Sequence, residues 1–259
     1  MSLQFIMGNS GSGKSYCLYD TVVREAIENP DKNYLVIVPE QFTMQTQKDL
    51  CLAHPKGGIM NIDVLSFGRL AYRVFEEVGQ DARVVLDDEG KNLVLRKIAG
   101  ECEKDLKVFK GNLKKQGYIS EVKSVLSEFA QYGVDFERLD DFMKEVPPES
   151  YLHYKLDDIR TIYEKFEEYL SEKYITKEEM LDVLSDAVPY SDILKGSVVA
   201  MDGFTGFTPV QNRLIGELFS VCEKVMITVT MDGRENPYVY EHPYQIFALG
   251  KQMVTSLMK

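Results

Sequence analysis

Apolar positions along the first third of the chain switch between two periods. The run Gln4-Phe5-Ile6-Met7 is short and ends at a glycine, as a strand entering a tight turn does. From Lys14 to Glu28, the residues Leu18, Val22, Val23, Ala26 and Ile27 recur at helical spacing and predict a helix with one apolar face. Tyr34-Leu35-Val36-Ile37-Val38 is continuously apolar between Asn33 and Pro39, the mark of a strand covered on both faces. A helix over 41–52, a strand over 59–65 and a helix over 66–78 complete the series. Strands alternating with helices imply parallel pairing through right-handed crossovers.

The pattern then changes. From about Leu86 to Val188 no strand period is visible, and helical segments follow one another over 88–102, 119–132, 151–173 and 177–187. Asp88 ahead of Lys91, and Thr176 ahead of Glu178 and Glu179, mark helix starts. The α/β pattern resumes with a strand over 197–201, a helix over 209–221 that opens on proline, and a strand over 224–229. The expectation is an α/β domain made of residues 1–85 and 190–259, interrupted by an all-helical insertion over 86–189.

Composition narrows the class. With 44% hydrophobic and 27% charged residues among 259, the chain reads as an ordinary globular protein. No apolar stretch approaches the ~20 residues that span a bilayer. The N-terminus enters a strand-like run directly, so no signal peptide and a cytoplasmic location are expected. Cys17, Cys51, Cys102 and Cys222 are scattered and form no CxxC pair, which favours free core thiols over a disulfide, zinc or iron–sulfur framework. His54, His153 and His242 are isolated, without metal-ligand spacing.

Thirty basic against forty-one acidic side chains leave a formal charge of −11, which excludes a uniformly basic nucleic-acid coat. That charge is uneven. Residues 79–195 hold eighteen basic and twenty-six acidic side chains, and the flanks are close to neutral. Within the middle block, Lys104, Lys107, Lys110, Lys114, Lys115 and Lys123 outnumber Asp105 and Glu121. Such a stripe is either a solvated helical face or a local patch that touches phosphates.

The most specific chemistry lies at the start. Gly8-Asn9-Ser10-Gly11-Ser12-Gly13-Lys14-Ser15 is a complete G-x-x-x-x-G-K-S between a strand and a helix. Glycines let successive backbone N–H groups turn toward phosphate oxygens, and the helix N-terminus adds a favourable dipole. Lys14 is expected to reach the β- and γ-phosphates of ATP, and the Ser15 hydroxyl to ligate Mg²⁺. The second metal ligand expected is Asp202, at the end of the strand that resumes after the helical block. The position after it, where a hydrolytic glutamate belongs, is Gly203, and the next carboxylate downstream is Glu217. This pattern predicts nucleotide binding with weak or no hydrolysis. An autonomous P-loop NTPase or small-molecule kinase is the alternative, although no NKxD guanine reader is present and the middle block holds only Arg83, Arg96, Arg138 and Arg160.

Four segments, in order, carry a resemblance: the phosphate loop, VPEQFT (Val38–Thr43), VLSFGRLAYRVF (Val64–Phe75) and MDGFTGFTPVQ (Met201–Gln211). Together they resemble the N-terminal region of the AddB family, the B subunits of bacterial ATP-dependent helicase/deoxyribonucleases. The resemblance implies a RecA-like P-loop domain of the superfamily 1 helicase 1A type, with an inserted helical 1B-like subdomain. It implies single-stranded DNA contacts at Gln41, Phe42 and Thr43 and at Ser66 and Phe67. Asp202 and Gln211 match the helicase D-E-x-Q-D-x-x-x-x-Q, whereas Gly203 and Gly206 replace its second and third acidic positions.

Other departures also point to an inactivated motor. Only seven residues precede Gly8, so no upstream adenine-reading glutamine is expected, and Thr230-Met231-Asp232-Gly233-Arg234 lacks the usual γ-phosphate sensor. The resemblance further implies an AddA-type partner subunit, DNA ends as substrate, a part in recognising Chi, and an iron–sulfur cluster outside this segment. Phe42 and Phe67 each suit either base stacking or the core at a strand–helix junction.

Overall fold

The computed structural model describes residues 2–79, 83–113, 115–170 and 173–258, so Lys114 of the basic stripe lies outside the described residues. In chain order the first elements are β1 (Ser2–Gly8), α1 (Lys14–Glu28), β2 (Tyr34–Ile37), α2 (Thr43–Ala53), β3 (Ile62–Leu65) and α3 (Phe67–Val78). Then come β4 (Val84–Leu86), α4 (Asp88–Glu101), α5 (Gln116–Tyr132), α6 (Phe136–Glu145), α7 (Tyr151–Leu170), β5 (Tyr174–Thr176) and α8 (Glu179–Ala187). The chain closes with β6 (Val198–Met201), α9 (Pro209–Val221), β7 (Lys224–Thr230) and α10 (Ala248–Leu257). It divides into two compact units, residues 1–80 with 181–259, and residues 81–180.

The first unit is an α/β layer structure around a five-stranded sheet of order β1-β7-β6-β2-β3, parallel at every pairing. This arrangement is compatible with a RecA-like domain. All of β2 and β6 is buried, as their unbroken apolar runs require. Alternation then sorts their side chains. Tyr34, Val36, Val38, Val198, Ala200 and Met226 join Leu18, Val22, Val23 and Ala26 of α1 in one core. Leu35, Ile37, Val199, Met201 and Ile227, one residue out of phase, are buried on the opposite face. Glu77 of α3 accepts hydrogen bonds from the Ser191 hydroxyl and the Ile193 amide, so the last turn of α3 is tied to the segment leading into β6.

The second unit has its own core, built from α4, α5, α6 and α7 with Leu95, Ile98, Ile119, Leu139, Ile162 and Phe166 at its centre. It is not all-helical. The three-residue strands β4 and β5 pair in parallel, Val84 with Tyr174 through Leu86 with Thr176. Two such short strands carry no readable period in sequence, which is why the block reads as free of strands. Reciprocal bonds between Thr176 and Glu179 follow β5: the Thr176 hydroxyl accepts from the Glu179 amide, and the Glu179 carboxylate accepts from the Thr176 amide. The helix α6, also missed, is marked by its N-cap Asp135, which accepts from the Arg138 amide at 2.9 Å. Two of the four cysteines depart from the expected core role: Cys17 is exposed and Cys51 only partly buried, while Cys102 and Cys222 are buried. Among the described residues no helix is long and apolar enough to cross a membrane.

Two carboxyl groups stand out in the second unit, Asp158 buried and Glu167 half-buried. Asp158 of α7 accepts the backbone amides of Lys107, Val108 and Phe109 at 2.7–2.8 Å and so fixes the turn leading to α5. Asp158→Ala strands those amides at a site only 1% exposed. It is expected to destabilise the protein by about 3 kcal/mol or more in urea unfolding.

Glu167 of α7 is pushed up to about 7, first by burial and then by the neighbouring Glu179 carboxylate. An unfolded glutamate titrates near ~4.3, so folding takes up a proton between that value and about 7. The stabilisation is complete below the unfolded value and is lost as pH rises through the folded one. The melting temperature of the wild type is therefore expected to fall relative to Glu167→Gln as pH rises across that window.

Candidate nucleotide and single-strand site

Because every pairing in the main sheet is parallel, the C-terminal ends of its strands share one edge, and the loops leaving them form the candidate site. At the end of β1, the Gly8 carbonyl accepts from the Met231 amide at 3.0 Å, which anchors the loop start to the end of β7. The chain then turns, with the Ser12 amide donating to the Asn9 carbonyl at 3.2 Å. Gly11 and Gly13 take φ of 75° and 87°, a conformation only glycine adopts without strain. A Cβ on Gly8 would stand 2.3 Å from the Ser12 Oγ, so the loop folds back on the strand that enters it.

Gly13 is the N-cap of α1 and supplies no side-chain acceptor, and the first turn of the helix holds no acid. Its free amides and dipole are left for an anion from outside. Lys14 Nζ donates to the Asn9 carbonyl at 2.8 Å, folding the ammonium over the loop. Asn9, Ser10, Gly11, Ser12, Gly13 and Ser15 are exposed. The donor set fits a polyphosphate.

Asp202 is arranged differently. It is buried at the end of β6, and its two oxygens accept from the Thr228 hydroxyl at 2.6 Å and the Tyr19 hydroxyl at 2.7 Å. The Tyr19 oxygen also lies 3.3 Å from the Thr46 hydroxyl of α2. Burial chiefly, and Asp202 in addition, raise the Tyr19 hydroxyl above its ordinary value, with Thr46 acting against them, so it stays a protonated donor. The Asp202 oxygens fit a tie between elements better than a cation shell. Gly203, next in line, has φ of 80°, and a Cβ there would meet Pro39 at 3.5 Å and Phe42 at 3.7 Å. A glutamate at that position would be strained by the backbone, although the space itself allows a Cβ in ordinary contact. Among the described residues no group of three or more His, Cys, Asp or Glu side chains could hold a metal ion.

The remaining motif residues separate by burial. Gln41 and Phe42, in a short 3-10 turn after β2, are exposed, Phe42 by 48%. Thr43 is buried, its hydroxyl donating to the Glu40 carbonyl at 2.9 Å. Ser66 is the buried N-cap of α3 and accepts from the Arg69 amide. Phe67 is buried against Phe204 and Phe207, with ring centroids 5.4 and 6.4 Å away. Gln211 closes a capping box with Thr208 at the start of α9.

Comparison with known proteins accounts for this combination. The family described as "ADDB, N-terminal" matches residues 5–259. The chain belongs to the AddB N-terminal family. It is 46% identical over 258 residues to a protein of Lachnoclostridium phytofermentans, and 35% and 37% identical to proteins of Alkaliphilus metalliredigens and Clostridium tetani. Each of the three is named as the B subunit of an ATP-dependent helicase/deoxyribonuclease, and the matches cover 99%, 90% and 90% of this chain. The chain spans about a fifth of the length of these relatives, 22% of the first and 20% of the others.

In this AddB N-terminal region, Tyr19, Thr46 and Thr228 are the site residues that sequence reasoning missed. Tyr19 lies 183 positions from Asp202 in sequence, and nothing local to either pairs them. Thr228 alone carried a signal, a hydroxyl inside the otherwise apolar run of β7. The two motif phenylalanines differ in what they support. Phe67→Ala is expected to cost about 3 kcal/mol or more in chemical denaturation, and Phe42→Ala less than about 1 kcal/mol.

Proposed function

We propose that this chain is the nucleotide-binding, non-motor part of the B subunit of an ATP-dependent helicase/deoxyribonuclease. It works in the cytoplasm with an AddA-type partner on the ends of broken DNA, in preparation for homologous recombination. The unit of residues 81–180 is its 1B-like insertion. The triphosphate of ATP takes the amides of Gly8–Ser15 and the helix N-terminus, Lys14 turns from the Asn9 carbonyl to the phosphates, and any accompanying Mg²⁺ meets the Ser15 hydroxyl. Single-stranded DNA runs past Gln41 and Phe42, with Thr43, Ser66 and Phe67 shaping the loops beneath, and this hold on the strand contributes to reading Chi.

One observation carries the non-motor reading. A formed phosphate loop stands beside an acidic strand end whose next residue is a glycine with φ of 80°. Hydrolysis needs a carboxylate that orients the attacking water. Gly203 supplies none, and its backbone disfavours a replacement. Binding without efficient turnover follows.

Calorimetric titration with ATP is expected to show binding that Lys14→Ala weakens by about tenfold or more, roughly 1.4 kcal/mol. Turnover is expected to stay below ~1 s⁻¹, under the usual kinase range. Faster turnover without DNA or partner favours an autonomous NTPase or kinase. For the strand contact, Phe42→Ala in the partner-bound protein weakens oligonucleotide binding, and failure of that complex to hold single strands removes the DNA role.

A further inference from the structure

An acid at a strand end on the same margin of the sheet as a phosphate loop is ordinarily free to face a cation or its water. Asp202 is not. Both of its oxygens accept short hydrogen bonds from hydroxyls of the protein, and the residue is 7% exposed. A carboxylate offers about four lone-pair sites, and the two hydroxyls take one on each oxygen, so neither oxygen is free of a protein donor.

The placement of Tyr19 sharpens the point. It lies four residues after Ser15 on α1, one turn along the same face, and long side chains on a helix lean toward its N-terminus. Its hydroxyl therefore reaches Asp202 from the side of α1 that carries the phosphate loop. Thr228 comes from β7, the neighbour of β6 in the sheet. Alternation explains the meeting: Ala200 and Met226 face α1, so Asp202 and Thr228, two residues further along their strands, face it too.

We infer that Asp202 takes no part in holding the divalent cation of a bound nucleoside triphosphate, and that Tyr19 is the positioning residue that withholds it, making Asp202 the polar tie between α1, β6 and β7. The inference rests on the reading that Gly8–Ser15 binds ATP. Affinity is then set by the loop amides, Lys14 and Ser15. A cation that rides in with the nucleotide gains nothing from Asp202.

The test is the ratio of ATP dissociation constants measured in EDTA and in Mg²⁺. Asp202→Asn keeps an oxygen for Thr228 and an amide for Tyr19, so it preserves the tie while removing the charge. The ratio is expected to be the same, within about twofold, in the wild type and in Asp202→Asn. Tyr19→Phe frees one Asp202 oxygen and is expected to raise the ratio at least about fivefold. Adding Asp202→Asn to Tyr19→Phe removes that rise. A merely structural role for Tyr19 would weaken binding equally in both buffers and leave the ratio unmoved, which overturns the assignment of Tyr19. A wild-type ratio that collapses in Asp202→Asn overturns the inference while leaving ATP binding intact. Absence of ATP binding in either buffer, in a protein that melts cooperatively, overturns the parent reading and this inference with it.

Discussion

Strands β2 and β6, and the middle of β7, are buried on both faces, and strands of that kind need helical cover above and below them. Parallel strands can be joined only by crossovers long enough to supply such cover. The requirement sends α1 across one face between β1 and β2 and leads the chain back to the same edge after each helix. Every loop that leaves a strand at its C-terminal end therefore gathers along one margin of the sheet. The phosphate loop, the 3-10 turn of Gln41 and Phe42, the N-cap at Ser66 and the Asp202–Gly203 turn are together because the apolar runs leave the chain no other route.

The same burial decides what Asp202 can be. A carboxylate at the mouth of a fully covered strand loses its water and must find donors, since an unpaired buried charge costs several kcal/mol. Thr228 and Tyr19 meet that demand from two different elements. Hydrogen bonds to a charged acceptor are worth about 1.5–3 kcal/mol each, enough to make the acid a structural joint. On our inference, a residue type that reads as a metal ligand by position acts as a fastening by environment.

How much of this could be read from the sequence follows from how local each signal is. The helices α1 and α9 stand over the ranges predicted, because each has an apolar face of three or more turns and a sharp start, at Lys14 after glycine and at Pro209. The turn from strand to helix over residues 8–15 was legible, since its geometry depends on eight consecutive residues. What stayed hidden was either too short or too distant. Tyr174-Ile175-Thr176 is a strand only because Val84, Val85 and Leu86 lie beside it. The burial of Phe67 required Phe204 and Phe207, more than 130 positions on, to close over it. Tyr19 looked like one more large residue on a helix, and its partner is fixed by the sheet order alone.

The loop and the turn beside it present opposite balances. The helix start at Gly13 has no side-chain cap and presents exposed amides, which an anion would satisfy, while Gly11 and Gly13 take their left-handed conformation without strain. Nothing in the Asp202–Gly203 turn is left waiting in that way, because its charge is satisfied and its glycine is relaxed. A ligand bound at the loop therefore spends its interaction energy on ordering the ends of β1 and β7 and the start of α1, which Met231, Gly8 and the Asp202 tie already link. Under the proposed binding without turnover, occupancy would act as stabilisation, growing as RT ln(1 + [L]/Kd). On that proposal, the loop is retained for what binding does to the fold rather than for turnover.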